Sequence, residues 1–308
     1  VSENSKIEWC DHTFNPWEGC QKVGPGCDHC YAEARNARFA GGSAVNWGPG
    51  APRRRTSAAN WRMPLRWNRE HDQFFDAHGR RQRVFCASLA DVFDNAVDLL
   101  WRRDLFRLIA DTSNLDWLLL TKRIGNAREM IAGTLGSIMR DEREWPWPHV
   151  WLGATIANRD EMLRDAAKLK ATGARVTFWS VEPMLGDLGT IPSDLFPDWV
   201  ICGGESGPGA RPLHPDWARS LRDQCAAADV PFLFKQWGEH SLAYDRDRDD
   251  PDYRRCDRMA RLPGRWINLA GGHGFNGERV HYAERVGKKA AGRLLDGRTH
   301  DEFPEVSR

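Results

Sequence analysis

Seven short runs of β-branched, aromatic and aliphatic residues recur along the chain, and nearly every one leads through a polar loop into a helical stretch. The expected strands are Lys6–Trp9, Arg83–Ser88, Asp116–Leu120, Val150–Thr155, Arg175–Ser180, Trp199–Gly203 and Phe232–Lys235. The expected helices are Tyr31–Phe39, Leu99–Ala110, Ala127–Leu135, Asp160–Ala171 and Pro215–Ala228, with a short helical piece after Pro183. Apolar strands alternating with helices require a parallel sheet covered on both faces. Each strand–helix unit takes roughly 30–40 residues, the spacing of a (β/α) barrel. The expected fold is therefore α/β, a partial or complete TIM-type barrel. The rival open doubly wound sheet would carry Gly-x-Gly-x-x-Gly after its first strand, and that signature is missing. Two segments break the rhythm: an Arg-rich insertion at 41–82, and a polar C-terminal extension or flap at 239–308 with the charge run Asp245–Asp252. The barrel proper is expected to span 1–238.

Composition narrows the function. Hydrophobic residues make up 41% and charged residues 28% of the 308 residues, as in a folded globular chain. Lys plus Arg total 44 against 43 Asp plus Glu, so any nucleic-acid contact must come from a local patch. No apolar run reaches the roughly 20 residues of a membrane helix. Val1–Trp9 has no signal-peptide pattern, which leads us to expect a cytoplasmic protein with no membrane partner. In that reducing compartment, eight cysteines point to metal or redox chemistry rather than to disulfides. The 15 tryptophans suit either base stacking or a bulky core.

The sharpest motif follows the first strand: Cys20-Gln-Lys-Val-Gly-Pro-Gly-Cys27-Asp-His-Cys30. Thiolates bind soft metals, and two residues between Cys27 and Cys30 let both sulfurs turn to one side. Gly24, Pro25 and Gly26 allow the loop to fold tightly. Structural zinc would want a fourth ligand, for which Cys10 or His29 is at hand. An iron–sulfur cube on Cys20, Cys27 and Cys30 would leave one iron open.

Three cysteines after the first strand of a (β/α) barrel resemble the radical S-adenosylmethionine enzymes. Cys27-Asp28-His29-Cys30 is similar to the second half of their motif; the first gap is six residues here and three in the usual pattern. A closer resemblance is to a bacteriophage and bacterial family of three-cysteine-motif, radical-SAM-like proteins. Lys6-Ile-Glu-Trp9, Thr13-Phe-Asn-Pro-Trp17, Leu120-Thr-Lys-Arg123, Ser180-Val-Glu-Pro183, Gly203-Gly-Glu-Ser-Gly207, Phe234-Lys-Gln-Trp-Gly238 and the tail from Gly287 to Asp296 carry it. The spore photoproduct lyases, which repair DNA, resemble the chain more distantly. The resemblance implies a 4Fe–4S cluster, S-adenosylmethionine as cofactor, His29 against its adenine, and an electron donor such as flavodoxin or ferredoxin. A monomer is expected.

Active sites of such barrels lie at the C-terminal ends of the strands. There the sequence places Ser88, Lys122, Arg123, Thr155, Ser180, Glu182 and Glu205 as candidates for the amine, carboxylate and ribose of S-adenosylmethionine; the plain alternative is helix capping. Lys235, Gln236 and Trp237 are expected to meet substrate. Gly203–Gly207 would suit a phosphate but lacks the lysine of nucleotide hydrolases. Cys86 and Tyr31 are the candidate hydrogen-atom donors, whereas Cys202 and Cys225 read as buried structural thiols.

Residues 51–83 hold nine arginines against Glu70, Asp72 and Asp76, a local +6, with Trp61 and Trp67 interleaved. Arg53, Arg54, Arg55 and Trp61 are thus the expected nucleic-acid contacts, with DNA favoured and UV-photoproduct repair as the specific expectation. Two other readings stand: a zinc-binding nucleic-acid-binding protein without catalysis, and a hydrolase using Glu182 or Glu205 as base.

Overall fold

A computed structural model describes residues 3–138, 145–244, 262–273 and 280–305. The elements in chain order are β1 (His12–Phe14), β2 (Trp17–Glu18), α1 (Tyr31–Phe39), β3 (Arg54–Arg55), α2 (Ala58–Arg69), α3 (His71–His78), β4 (Gln82–Cys86), α4 (Leu99–Asp111), β5 (Leu115–Thr121), α5 (Ile124–Ile138), β6 (Val150–Thr155), α6 (Arg159–Lys170), β7 (Val176–Val181), β8 (Trp199–Gly203), α7 (Pro215–Ala227), β9 (Phe232–Gln236), β10 (His240–Tyr244), β11 (Gly264–Asn268), β12 (Val280–Arg285) and α8 (Lys288–Ala291). One seven-stranded sheet has the order β1-β4-β5-β6-β7-β8-β9. The fold is mixed α/β with a parallel sheet, of partial rather than complete TIM type. The expected charge run Asp245–Asp252 lies outside the described residues.

The first strand is not where apolarity suggested. Lys6–Trp9 turns instead: Cys10 N–H closes on Ile7 O at 3.2 Å, and Trp9 is buried as a core side chain. Pairing begins at Asp11 N–H on Arg83 O (2.9 Å) and continues as His12↔Val84, Thr13↔Phe85 and Phe14↔Cys86. Three buried residues suffice because β1 is anchored by aromatic packing: Phe14 meets Trp117 edge-on at 5.6 Å. The segment 41–82, expected as an Arg-rich insertion, has secondary structure of its own. It contains β3, α2 and α3, with Ser57 capping α2 through the Asn60 N–H.

The chain divides into two compact units: Val1–Ala154 with Ala167–Phe178, and Thr155–Ala166 with Trp179–Arg308. In the first, β1, β4, β5 and β6 pair in parallel, and β5 and β6 are buried almost throughout. In the second, β8 pairs with β9 in parallel, and β10-β12-β11 form a separate antiparallel sheet. The tryptophan question is decided in favour of the core. Trp9, Trp17, Trp67, Trp117, Trp151, Trp179, Trp199 and Trp217 are all less than 2% exposed. Burying a large apolar side chain of this kind stabilises by about 1.5–3 kcal/mol.

Candidate metal centre

The cysteine loop is built from β2 onward within the first unit. Gly19 carries φ +115°, and a Cβ there would lie 2.5 Å from Asn46 O, so glycine is required where the chain turns into Cys20. Gly19 N–H donates to Leu89 O at 3.1 Å, beyond the end of β4. Cys20 is then held on both sides: its N–H donates to Asn46 O (3.2 Å), and its carbonyl accepts Gly48 N–H (2.9 Å). Pro25–Cys27 forms one 3₁₀ turn, which buries Cys27. Cys30 is the N-cap of α1, and the Tyr31 hydroxyl next to it donates to Ser88 O at 2.6 Å. Both ends of the loop are therefore tied to the segment that follows β4. Ser88 itself takes the Asn15 side-chain amide at 2.9 Å.

A buried charge network surrounds the loop. The Arg123 guanidinium donates to the Cys20 sulfur (3.3 Å), to Gln21 O (2.8 Å) and to Asp91 (3.1 Å). Asp91 also accepts the Thr121 hydroxyl (2.7 Å) and the Lys122 N–H (3.0 Å). Arg53 pairs with Asp94 at 2.8 Å, both side chains 2% exposed. Burial pushes the Cys20 thiol up to about 11, against the pull of Arg123. A metal binding there would displace the thiol's proton.

All seven described cysteines are free thiols. A single zinc ion draws its ligating atoms within about 4 Å of one another. Among the described residues, the one group of three His, Cys, Asp or Glu side chains whose ligating atoms all lie within 4.8 Å of one another is His214, Asp216 and His281. The three loop thiols are not such a group. In a cube each thiolate would take a separate iron, so the three sulfurs need not converge on one ion. Soft donors only, a loop fixed at both ends and a guanidinium against one sulfur make the residues fit an iron–sulfur cluster. Two members of the His214 group also have protein partners. His214 Nδ1 accepts the Asp216 N–H (3.1 Å) as the N-cap of α7, and the Asp216 carboxylate holds Arg219 (2.9 Å).

The other expected site residues fall in different settings. In the first unit, His29 is exposed within the loop, and Lys122 is half-buried beside Asp91. Cys86 is fully buried at the end of β4, and burial holds its thiol far above the ordinary range. The Tyr31 hydroxyl is committed to Ser88 O. In the second unit, Thr155 and Ser180 are buried, Glu182 pairs with Lys235 at 3.1 Å, and Glu205 pairs with Arg211 at 2.6 Å. Gln236 donates to the Ser206 hydroxyl (3.1 Å), and Trp237 Nε1–H donates to Leu294 O (2.8 Å).

Six of the nine arginines between 51 and 83 lie against acids. Arg53 is buried on Asp94, Arg54 pairs with Glu18, Arg55 with Asp104 (2.7 Å), Arg66 with Glu3 (2.5 Å), Arg80 with Asp11 (2.6 Å) and Arg81 with Asp116 (3.7 Å). Arg55 also lies over the Trp61 ring at 4.4 Å. Sequence reasoning missed Asn46 and Asp94. The signal for Asp94 was its place three residues past Asp91 at a strand end; Asn46 had none.

Residues 4–304 match the model of a family described as "Protein of unknown function (DUF5131)". No curated protein matches the chain. Among solved structures, it is similar to a spore photoproduct lyase variant with bound AdoMet and dinucleoside spore photoproduct. The identity is 12%, the TM-score 0.40, and the match covers 92% of this chain and 71% of that one. It is similar also to a lyase variant with dinucleoside spore photoproduct, at 14% identity and TM-score 0.39, over 92% of this chain and 70% of that one.

Proposed function

The chain belongs to the DUF5131 family, and we propose that it is an iron–sulfur enzyme of the radical S-adenosylmethionine class. The observation that carries this reading is the loop Cys20–Cys30: three free thiols, anchored at Asn46 and Ser88, with the Arg123 guanidinium on one sulfur. Cys20, Cys27 and Cys30 would hold a 4Fe–4S cluster, which would supply one-electron reductive chemistry on bound S-adenosylmethionine. The protein's part is to hold and orient. Cys20, Cys27 and Cys30 bind as thiolates. Burial of Cys27 keeps water from its sulfur. Tyr31, tied to Ser88, fixes the start of α1 and with it Cys30. The exposed ring of His29 is offered to the adenine, and Lys122 to the cofactor carboxylate.

The substrate reading is a nucleic acid, with repair of a UV photoproduct in DNA as its specific form. Its support is narrower than nine arginines: Arg54, with a side chain 67% exposed, and Arg55 stacked over Trp61. Glu18, on which Arg54 ends, is buried and is also held by Arg35 at 3.1 Å, so Arg54 can turn to a phosphate without leaving that carboxylate unpaired.

The test is reconstitution with iron and sulfide under anaerobic conditions, followed by EPR of the reduced protein with and without S-adenosylmethionine. A signal that shifts on its addition, and 5′-deoxyadenosine release that rises with UV-irradiated DNA, are the expected results. A shift without any response to DNA would remove the substrate reading alone. A colourless protein carrying zinc would remove the enzyme.

A further inference from the structure

We propose that Arg123 sets the reduction potential of the cluster held by Cys20, Cys27 and Cys30, acting as a positioning residue through its N–H on the Cys20 sulfur; this rests on the function proposed above.

Arg123 lies just past β5, and its side chain is 8% exposed, so solvent screens its charge little. Its place is over-determined. Nη1 donates to Cys20 Sγ (3.3 Å) and to Asp91 (3.1 Å), Nη2 donates to Gln21 O (2.8 Å), and its backbone N–H donates to the Thr121 hydroxyl (2.8 Å). Nε stands 4.0 Å from Asp94, which Arg53 holds in turn. A guanidinium so engaged favours Lys122, the other candidate, for the cofactor carboxylate. Arg123 is aimed at a sulfur instead. Hydrogen bonds to cluster sulfurs are a main lever on iron–sulfur potentials. Reduction adds one electron and one negative charge to the cluster, with no bond made or broken in the protein. A charged N–H beside a ligating sulfur favours that state. Asp91 and Asp94 offset part of the charge, but the N–H is the group in contact with the sulfur.

The experiment compares wild type, Arg123→Met and Arg123→Lys, each reconstituted anaerobically and titrated with dithionite while EPR follows the reduced cluster. Loss of the N–H should lower the midpoint. The reduced-to-oxidised ratio at a fixed potential should fall roughly tenfold, about 59 mV for one electron. Arg123→Lys should lie between, with iron and sulfide content equal in all three. An unchanged midpoint in a fully loaded Arg123→Met overturns the proposal. Should that variant not load, Arg123→Lys decides: a lowered midpoint supports the proposal and an unchanged one overturns it. Loss of cluster in both variants makes Arg123 a support of the loop and overturns the tuning role. If wild type itself takes up no iron, the function proposed above fails first, and that outcome is distinct from all the others.

Discussion

The two units place similar residues at the ends of their strands and use them differently. In the first, Arg53, Asp91, Asp94 and Arg123 interlock, and Arg123 reaches on to the Cys20 sulfur of a loop that carries two further thiols. In the second, the charges close on each other: Glu182 with Lys235, Glu205 with Arg211, and the Glu239 carboxylate on Gly207 N–H at 3.0 Å. Even its glycines serve closure, since a Cβ on Gly204 would collide with the Trp237 carbonyl. A polar strand end is thus not by itself a ligand site. What matters is whether its neighbours leave donor atoms unspent.

The largest effect expected from this contrast is all-or-none. Cys20→Ser, Cys27→Ser or Cys30→Ser should each abolish iron uptake, whereas Glu182→Gln and Glu205→Gln should load fully, as read by iron and sulfide content. Iron loss in the glutamate variants as complete as in the serine variants would break the contrast.

Next in size are two adjacent arginines. Arg53 and Asp94 are both buried, so Arg53→Met leaves that carboxylate only the Ala96 N–H and the more distant Arg123, and should cost up to about 3–5 kcal/mol in urea unfolding. Arg54 is 67% exposed and shares the buried Glu18 with Arg35, which keeps that carboxylate paired in Arg54→Met, so this change should cost less than Arg53→Met. Similar losses would mean that the insertion is not organised by Arg53.

One buried group in each unit should answer pH with opposite sign. Burial pushes Asp116, in the first unit, up to about 6 against Arg81, Arg83 and Arg80. Its protonated form is favoured by folding, so its contribution is complete below the ordinary aspartate range and is lost as pH rises through 6. Burial, with Arg265 and Arg285 nearby, pushes His240 in the second unit down to about 4. Its contribution is complete above the ordinary histidine range and is lost as pH falls toward 4. Each effect spans at most about 3 kcal/mol. Between pH 4 and 6, Asp116→Asn should make stability rise more steeply with pH, and His240→Asn should flatten it. Denaturant midpoints across that window would show both slopes, and parallel slopes would contradict the assignment.

Much of the fold was legible because parallel strands buried on both faces leave an unbroken apolar run. Val150–Thr155 and Trp199–Gly203 are strands over the expected residues, and Tyr31–Phe39 is a helix over its own. Lys6–Trp9 misled because an apolar run can also fill a core from a turn, as Trp9 does. The arginine run reads differently once its partners are known. Its charge was counted along the chain, while Glu3, Asp11, Glu18, Asp94, Asp104 and Asp116 answer it from elsewhere in the fold. The cysteine loop could be singled out from spacing alone, but its setting could not. Cys20 meets Arg123 across 103 positions, and Asn46 supports the loop with a backbone carbonyl that no side-chain pattern announces.

The most direct test of the central claim is the iron and sulfide content of the anaerobically reconstituted protein beside Cys20→Ser, Cys27→Ser and Cys30→Ser. The account predicts about four iron and four sulfide per wild-type chain and none in any of the three variants. Zinc in place of iron, or full iron retained after loss of any one of these thiols, would contradict it.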